Sequence, residues 1–313
     1  MAKPFMTYDQ QIQKLKEKNL WIPDENRAKE ILQTEGYFAL ITGYKDLFKN
    51  PTTRNYRDGT TIEDIYALYQ FDERLRELTL HHLLHIERHL RSVLSYAFCT
   101  FFGEHQSAYL DPENYDTKRR NQKELHRLLK DFLYPLLDRV TRYPYIEHQK
   151  RVHGNVPLWV LVNALTFGTL SKMYALSSSK VRSAVSHEFV GINEKQLEQL
   201  LGVLTAFRNL CAHNERMFSH RCGRNRIPDL MLHKKLDIPR RGESYAMGKE
   251  DYFAPVIAFR YLLPDKEFYQ YKHHLGRLIE KAVSENRQLS EQDLLQIMGF
   301  PPNWKTITRY QRA

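Results

Sequence analysis

The chain has 313 residues, 42% of them apolar and 27% charged, which supplies a sizeable globular core and excludes a disordered or fibrous class. Its formal net charge of +10 calls for an anionic partner, most often nucleic acid, although charge alone suits an anionic membrane surface equally well. No apolar run reaches the ~18 residues of a membrane span, the opening MAKPFMTYDQQIQKLKEKN lacks the apolar block of a secretory signal, and three scattered cysteines (Cys99, Cys211, Cys222) fit reduced thiols in a cytosol. A soluble, cytoplasmic, basic protein is expected.

Helical periods dominate and strand patterns are scarce. Residues 7–20 space Ile12, Leu15 and Leu20 as a short amphipathic helix, and 24–37 reads as a second helix behind an Asp24 cap. Residues 49–61 are rich in turn formers and read as a loop. From Thr61 to about Phe102 runs the longest helical pattern, free of Pro and Gly until Gly103; at ~1.5 Å per residue it spans roughly 60 Å and is either kinked or the spine of the fold. After a polar segment at 111–123, another helix is expected through about Thr141. The segment 157–178 is a strongly apolar helix with a break near Gly168, where close backbone packing is expected, and 180–190 and 193–218 add two more helices. Beyond His220 the chain turns loop-like and basic. It closes with helices at 265–285 and 289–300, the latter with Ser290 and Asp293 at capping-box spacing and Gly299 at its stop.

The stretch FRNLCAHNERMF (207–218) sets Arg208 and His213 beside a helix whose apolar face is Leu197, Leu200, Leu201, Leu204 and Phe207. The same Arg-x4-His spacing recurs at Arg76/His81 and Arg182/His187, so spacing decides nothing and surroundings must. On a straight helix Arg208 and His213 point about 140° apart, whereas Asn209 and His213 share a face. If the helix continues, Arg216 and His220 extend that face into a polar, basic stripe that needs solvent, a bound anion or a second subunit; a symmetric pair of helices would bring Arg208 of one chain near His213 of the other. The plain reading of the same residues is a helix whose C-terminal dipole is met by basic side chains. Between Arg208 and Arg241 stand nine Arg or Lys against three Asp or Glu, and a phosphate chain passing His213 would meet Arg216, Arg221, Arg224 and Arg226. Many aromatic residues are available for base stacking, although those inside helices read first as core. No P-loop, dinucleotide fingerprint, HExxH or Cys/His zinc array is present.

Three blocks carry a resemblance to the AbiD/AbiF-type abortive infection proteins, a branch of the HEPN superfamily. They are the opening TYDQQIQKLKEKNLWIPDENRAKEILQTEGYFALITGYKDLF; the central FDERLRELTLHHLLHIERHLRSVLSYAF and PLWVLVNALTFGTLSKMY; and FRNLCAHNERMF, which places Arg208, Asn209 and His213 on the family's Arg-Asn-x3-His signature with Asn214 following. The likeness runs from roughly residue 7 to 220. The helical periods predict an all-α fold; the resemblance makes residues 61–232 an expected HEPN-type helical bundle, with an N-terminal helical extension (1–60) before it and a basic loop and C-terminal helical appendage (233–313), whose role the resemblance leaves open, after it. The resemblance also implies a metal-independent endoribonuclease without cofactors, a toxin acting in phage defence, dimerising so that motif helices of two chains meet, and in some relatives held inactive by a small RNA or protein antitoxin.

That chemistry suits the residues. RNA cleavage without a metal needs a base for the 2′-OH, an acid for the departing 5′ oxygen and positive charge on the phosphorane. Histidine serves either proton role, the Arg208 fork suits phosphate, and Asn209 would orient His213 or a phosphate oxygen. Asn214, Arg216, His220, Arg221, Arg224 and Arg226 are the expected RNA contacts. The i+4 series His81, His85, His89 offers a possible metal face but reads first as a polar stripe, because Glu87 lies off it. A non-catalytic RNA-binding or scaffolding module is the alternative function. A membrane-associated effector is disfavoured for want of a long amphipathic segment with an uninterrupted basic face.

Overall fold

The computed structural model describes residues 4–118, 121–138 and 141–312. Helices α1 (Tyr8–Lys16) and α2 (Glu25–Glu35) start where Thr7 and Asp24 accept the orphan N–H groups of Gln10 and Arg27. The spine is α3 (Ile62–Phe102), 41 residues, opened by a Thr61–Asp64 capping box and ended by Gly103 at φ 87°. Its buried positions Ile65, Leu68, Leu75, Thr79, Leu83, Ile86, Leu90, Leu94 and Phe98 keep helical spacing and form a stripe to which the other helices dock. Leu84, an apolar residue of the same helix, is exposed. Within α3, Glu87 pairs with Arg91, which also donates to the Leu165 carbonyl at 2.9 Å.

Next come α4 (Gln106–Leu110), α5 (Gln122–Arg127), a π-helical turn over Leu128–Leu133, α6 (Tyr134–Asp138) and α7 (Pro144–His153). The single helix expected here is divided: Pro135 brings no N–H to the ladder, and the backbone widens into the π turn just before it. The expected end near Thr141 follows residues 139–140, which lie outside the described residues. The apolar segment at 157–178 splits into α8 (Leu158–Leu161) and α9 (Phe167–Leu176). The break falls at Leu165–Thr166, where Thr166 caps α9, rather than at Gly168. Gly168 nonetheless marks close packing, since a Cβ there would stand 3.3 Å from Thr205 Cγ2. α10 (Ser179–His187) and α11 (Glu194–Ala212) follow, then α12 (Met231–Lys235) and a two-stranded antiparallel hairpin, β1 (Arg240–Arg241) and β2 (Ser244–Tyr245). The chain closes with α13 (Phe253–Leu262), α14 (Asp265–Ser284) and α15 (Glu291–Met298), the last with the expected Ser290–Asp293 box and left-handed Gly299. The fold is all-α apart from that hairpin.

α13 escapes a periodicity argument. All ten of its residues are buried, so no polar face marks it, and Pro255 sits in its first turn, where a missing N–H costs nothing. It packs on the back of α11, while α10, α11 and α14 pack along α3. The Thr79, Tyr252 and Tyr271 hydroxyls form a buried chain, 2.8 and 3.0 Å apart, tying α3 to the start of α13 and to α14. Asn286 donates to the Asp64 carbonyl, and the Arg287 N–H to the Asp64 carboxylate. The apolar core is continuous from Ile12 to Ile307, with the C-terminal helices inside it.

Candidate functional site

α11 carries the Arg-Asn-x3-His stretch at its C-terminal end. Leu197, Leu200, Leu201, Leu204, Phe207 and Leu210 are buried, leaving Asn209 and His213 on the exposed side. The helix stops sooner than the expected 218. His213 is its C-cap, Asn214 takes the left-handed conformation at φ 53°, and the Glu215 N–H returns to the Leu210 carbonyl at 3.0 Å, the 6→1 bond of a Schellman close. The expected helical stripe through Arg216 and His220 is therefore corrected: Asn209 and His213 share a face, and the chain turns away after them. Asparagine adopts the left-handed region more readily than most residues.

The turn is held by a buried clamp that sequence spacing does not reveal. Asp72 on α3, fully buried, accepts the Met217 N–H at 2.9 Å, the Phe218 N–H at 2.7 Å, the Tyr44 hydroxyl at 2.7 Å and Arg76 Nη1 at 2.8 Å. Arg76 in turn donates to the Glu215 carbonyl at 3.2 Å. Burial holds the Asp72 carboxyl above its ordinary range, and the Arg76 charge with the donated hydrogen bonds of Met217, Tyr44 and Phe218 offsets part of that rise. Burial and the neighbouring Asp72 charge push the Tyr44 hydroxyl well up, so it stays a donor. Tyr44 also stacks on Phe218, ring centroids 6.0 Å apart. The only sequence hint was the i, i+4 Asp72–Arg76 pair, an arrangement usually found on solvated helix faces.

The remaining expected residues are placed unevenly. Arg208 is half-buried, and its Nε is enclosed without an acceptor. Arg216 is exposed and its Nη1 reaches the Gly43 carbonyl. His220 lies edge-on to Phe207 at 5.8 Å, and burial lowers its pKa. Arg221 donates to the carbonyls of His220 (3.1 Å) and Ile297 (2.8 Å), and Arg226 to Glu250 at 2.8 Å. Arg224 is exposed with no ion pair or hydrogen bond among the described residues. Burial pushes Cys211, next to the motif, up to about 12, which makes its thiol a poor nucleophile.

The histidine series on α3 disperses: His85 meets Glu267 of α14, His89 lies on Phe189 and His81 on His82. Among the described residues no group of three His, Cys, Asp or Glu is placed to hold a metal ion, and no helix is long and apolar enough to cross a membrane. Arg182 and His187, the third Arg-x4-His pair, lie on α10, where Arg182 faces the Ala175 carbonyl and Asp116.

Comparison with curated proteins and with solved structures gave no match. The family model of Abi-like proteins, by contrast, matches residues 30–219, from the middle of α2 through the clamped turn. The match takes in Tyr44, Asp72, Arg76 and the whole Arg208–His213 stretch. The chain belongs to the Abi-like protein family, which associates it with abortive infection, a form of phage defence.

Proposed function

We propose that the chain is a metal-independent endoribonuclease of phage defence, with Arg208, Asn209 and His213 as its reacting cluster. The observation that carries this reading is the end of α11: a Schellman turn and the Asp72 clamp present the His213 imidazole to solvent on a fixed backbone, one helical turn from Asn209. A surface histidine with no structural task, braced from beneath, is arranged for proton transfer.

In the proposed reaction an imidazole takes the 2′-OH proton and the 2′ oxygen attacks the adjacent phosphorus. The phosphorane collapses with breakage of the P–O5′ bond, and an acid returns a proton to the 5′ oxygen. The products are a 2′,3′-cyclic phosphate and a 5′-hydroxyl. Arg208, half-buried beside the helix end, would hold the phosphorane charge through its guanidinium, and Asn209 would orient His213 or a phosphate oxygen. One chain offers one such histidine, so base and acid would come from two copies, and the working unit would be a homodimer. Three unpaired thiols suit a reducing cytoplasm, and an antitoxin, RNA or protein, would act by covering the end of α11.

Incubation of total RNA with the protein and with His213→Ala in excess EDTA tests the reading. Cleavage by the wild type alone, with 2′,3′-cyclic phosphate ends, is expected. Equal cleavage by both would remove His213 from the reaction. Tight binding by both without cleavage would favour a non-catalytic RNA-binding module.

A further inference from the structure

Between α9 and α11 lies a cleft of about 490 Å³ to which the cluster above gives no role. Its α11 wall is Glu198, Gly202 and Thr205; with Asn209 they stand at i, i+4, i+7 and i+11, one face of one helix. That face ends at Asn209 and, one turn on, His213. The floor is made of small residues. At Gly202 no heavy atom lies within 4 Å of where a Cβ would be, so the cleft is open at that point, and Gly168 lies opposite, in contact with Thr205.

The rims are cationic. Lys172 of α9, the unpaired Arg224 and Arg226 line the cleft. The cleft shares Gly168 and Lys172 with a second hollow of about 280 Å³, in which Arg127 lies over the ring of Phe132 at 5.9 Å, a residue 40% exposed. Two carboxylates belong to this surface. Glu124 is bound by Lys172 at 2.7 Å, and Glu198 stands exposed on the α11 wall.

We propose that this cleft is the track along which single-stranded RNA approaches the end of α11, with Lys172 and Arg224 on its phosphates and Phe132 as a stacking platform for a base. A floor of Gly and Thr lets a sugar–phosphate chain approach the helix backbone. Flanking cations supply the charge, and an exposed aromatic backed by arginine accepts a base of any identity. A rigid duplex is too wide to settle between two packed helices, so the track selects single strands. The delivery role rests on the ribonuclease reading; the binding role does not.

The test is fluorescence anisotropy of a labelled oligouridylate of roughly ten nucleotides, a length within the span of known single-strand sites. Gly202→Leu fills the cleft with a better helix former, and Arg224→Glu changes an exposed residue without a partner; thermal melts confirm that both fold. Each is expected to weaken binding about tenfold or more, and neutral Arg224→Gln to lower the slope of log K against log salt by about one phosphate contact. Phe132→Ala is expected to cost on the order of fivefold. Unchanged affinity in folded Gly202→Leu and Arg224→Glu would overturn the track while leaving the nuclease intact if both variants still cleave. Lost affinity in these variants, with no cleavage by the wild type, would support the track and count against the nuclease. A blunt duplex of equal length competing as well as the strand would overturn the single-strand claim.

Discussion

Arg76/His81 on α3 and Arg208/His213 on α11 have the same spacing and opposite surroundings. Arg76 is buried, with Asp72 one turn before it, Tyr44 beside it and the Glu215 carbonyl in reach, and His81 sits in mid-helix against His82. Arg208 follows Leu204 instead of an acid and keeps an unpaired donor, and His213 stands where its helix stops. A carboxylate one turn upstream makes an arginine a structural part, whereas both histidines are exposed and differ in that only His213 stands at a helix end. The two pairs are also connected, because Arg76 and Asp72 fix the turn that follows His213.

Four measurements break or sharpen that contrast. The largest effect is expected from Asp72→Ala, which strands the Arg76 charge and two backbone N–H groups in the core. A loss of about 3–5 kcal/mol in urea unfolding at unchanged m-value is expected. A loss below about 1 kcal/mol would show that the clamp does not hold the turn.

The next concerns His82, which neighbours the first pair. Burial, helped by the charges of His81, His274 and His85, lowers its pKa to about 4. The folded protein therefore keeps this imidazole neutral while the unfolded chain takes up a proton near pH ~6.5. The sign follows: stability is complete above about 6.5 and is lost as pH falls toward 4, on the order of 2 kcal/mol across that window. His82→Phe should flatten this part of the stability–pH curve, and superimposable curves would contradict a buried neutral imidazole.

A smaller effect is expected at Asn214. Alanine there bears the left-handed conformation at about 1 kcal/mol, whereas glycine should be neutral or better. Hydrogen exchange at the Glu215 amide reports the close directly, and equal protection in both variants would argue against the cap. Smallest of all, His81→Ala should change stability by less than about 0.5 kcal/mol and leave any RNA cleavage untouched. A loss comparable to that of His213→Ala would dissolve the distinction between the two pairs.

What was legible in the sequence was local. Asp24, Ser290 with Asp293, and Gly299 announce helix ends through bonds that close within a few residues, and those ends stand where expected. The amphipathic stripe of α3 likewise follows from period alone. Missing were elements whose reason is distant or without contrast. The Asp72 clamp joins residues 28 and 145 positions apart. α13 shows no period because none of its sides meets water. At the candidate site, Arg208, Asn209 and His213 were legible as a sequence pattern on one helix, but the end of that helix was not, although Asn214 after His213 is a usable C-terminal signal. Several expected phosphate contacts, Arg221 and Arg226 among them, are engaged within the protein, because a basic segment that folds satisfies its own carbonyls and carboxylates first.

The wholly buried α13 sets an order of events during synthesis. The back of α11 is completed by residues 253–262, some forty positions after the motif, with Phe207 on Tyr252 at 5.9 Å. At ~5–20 residues per second, the ribosome reaches α13 a few seconds after finishing Met217. Until then α11 has an uncovered apolar back, and the turn beyond His213 rests on a half-built core. A nascent chain stalled before residue 250 is expected to be protease-sensitive at α11, and one stalled well past 300 to be protected. By this order the motif helix gains its covered back only after most of the chain has been made.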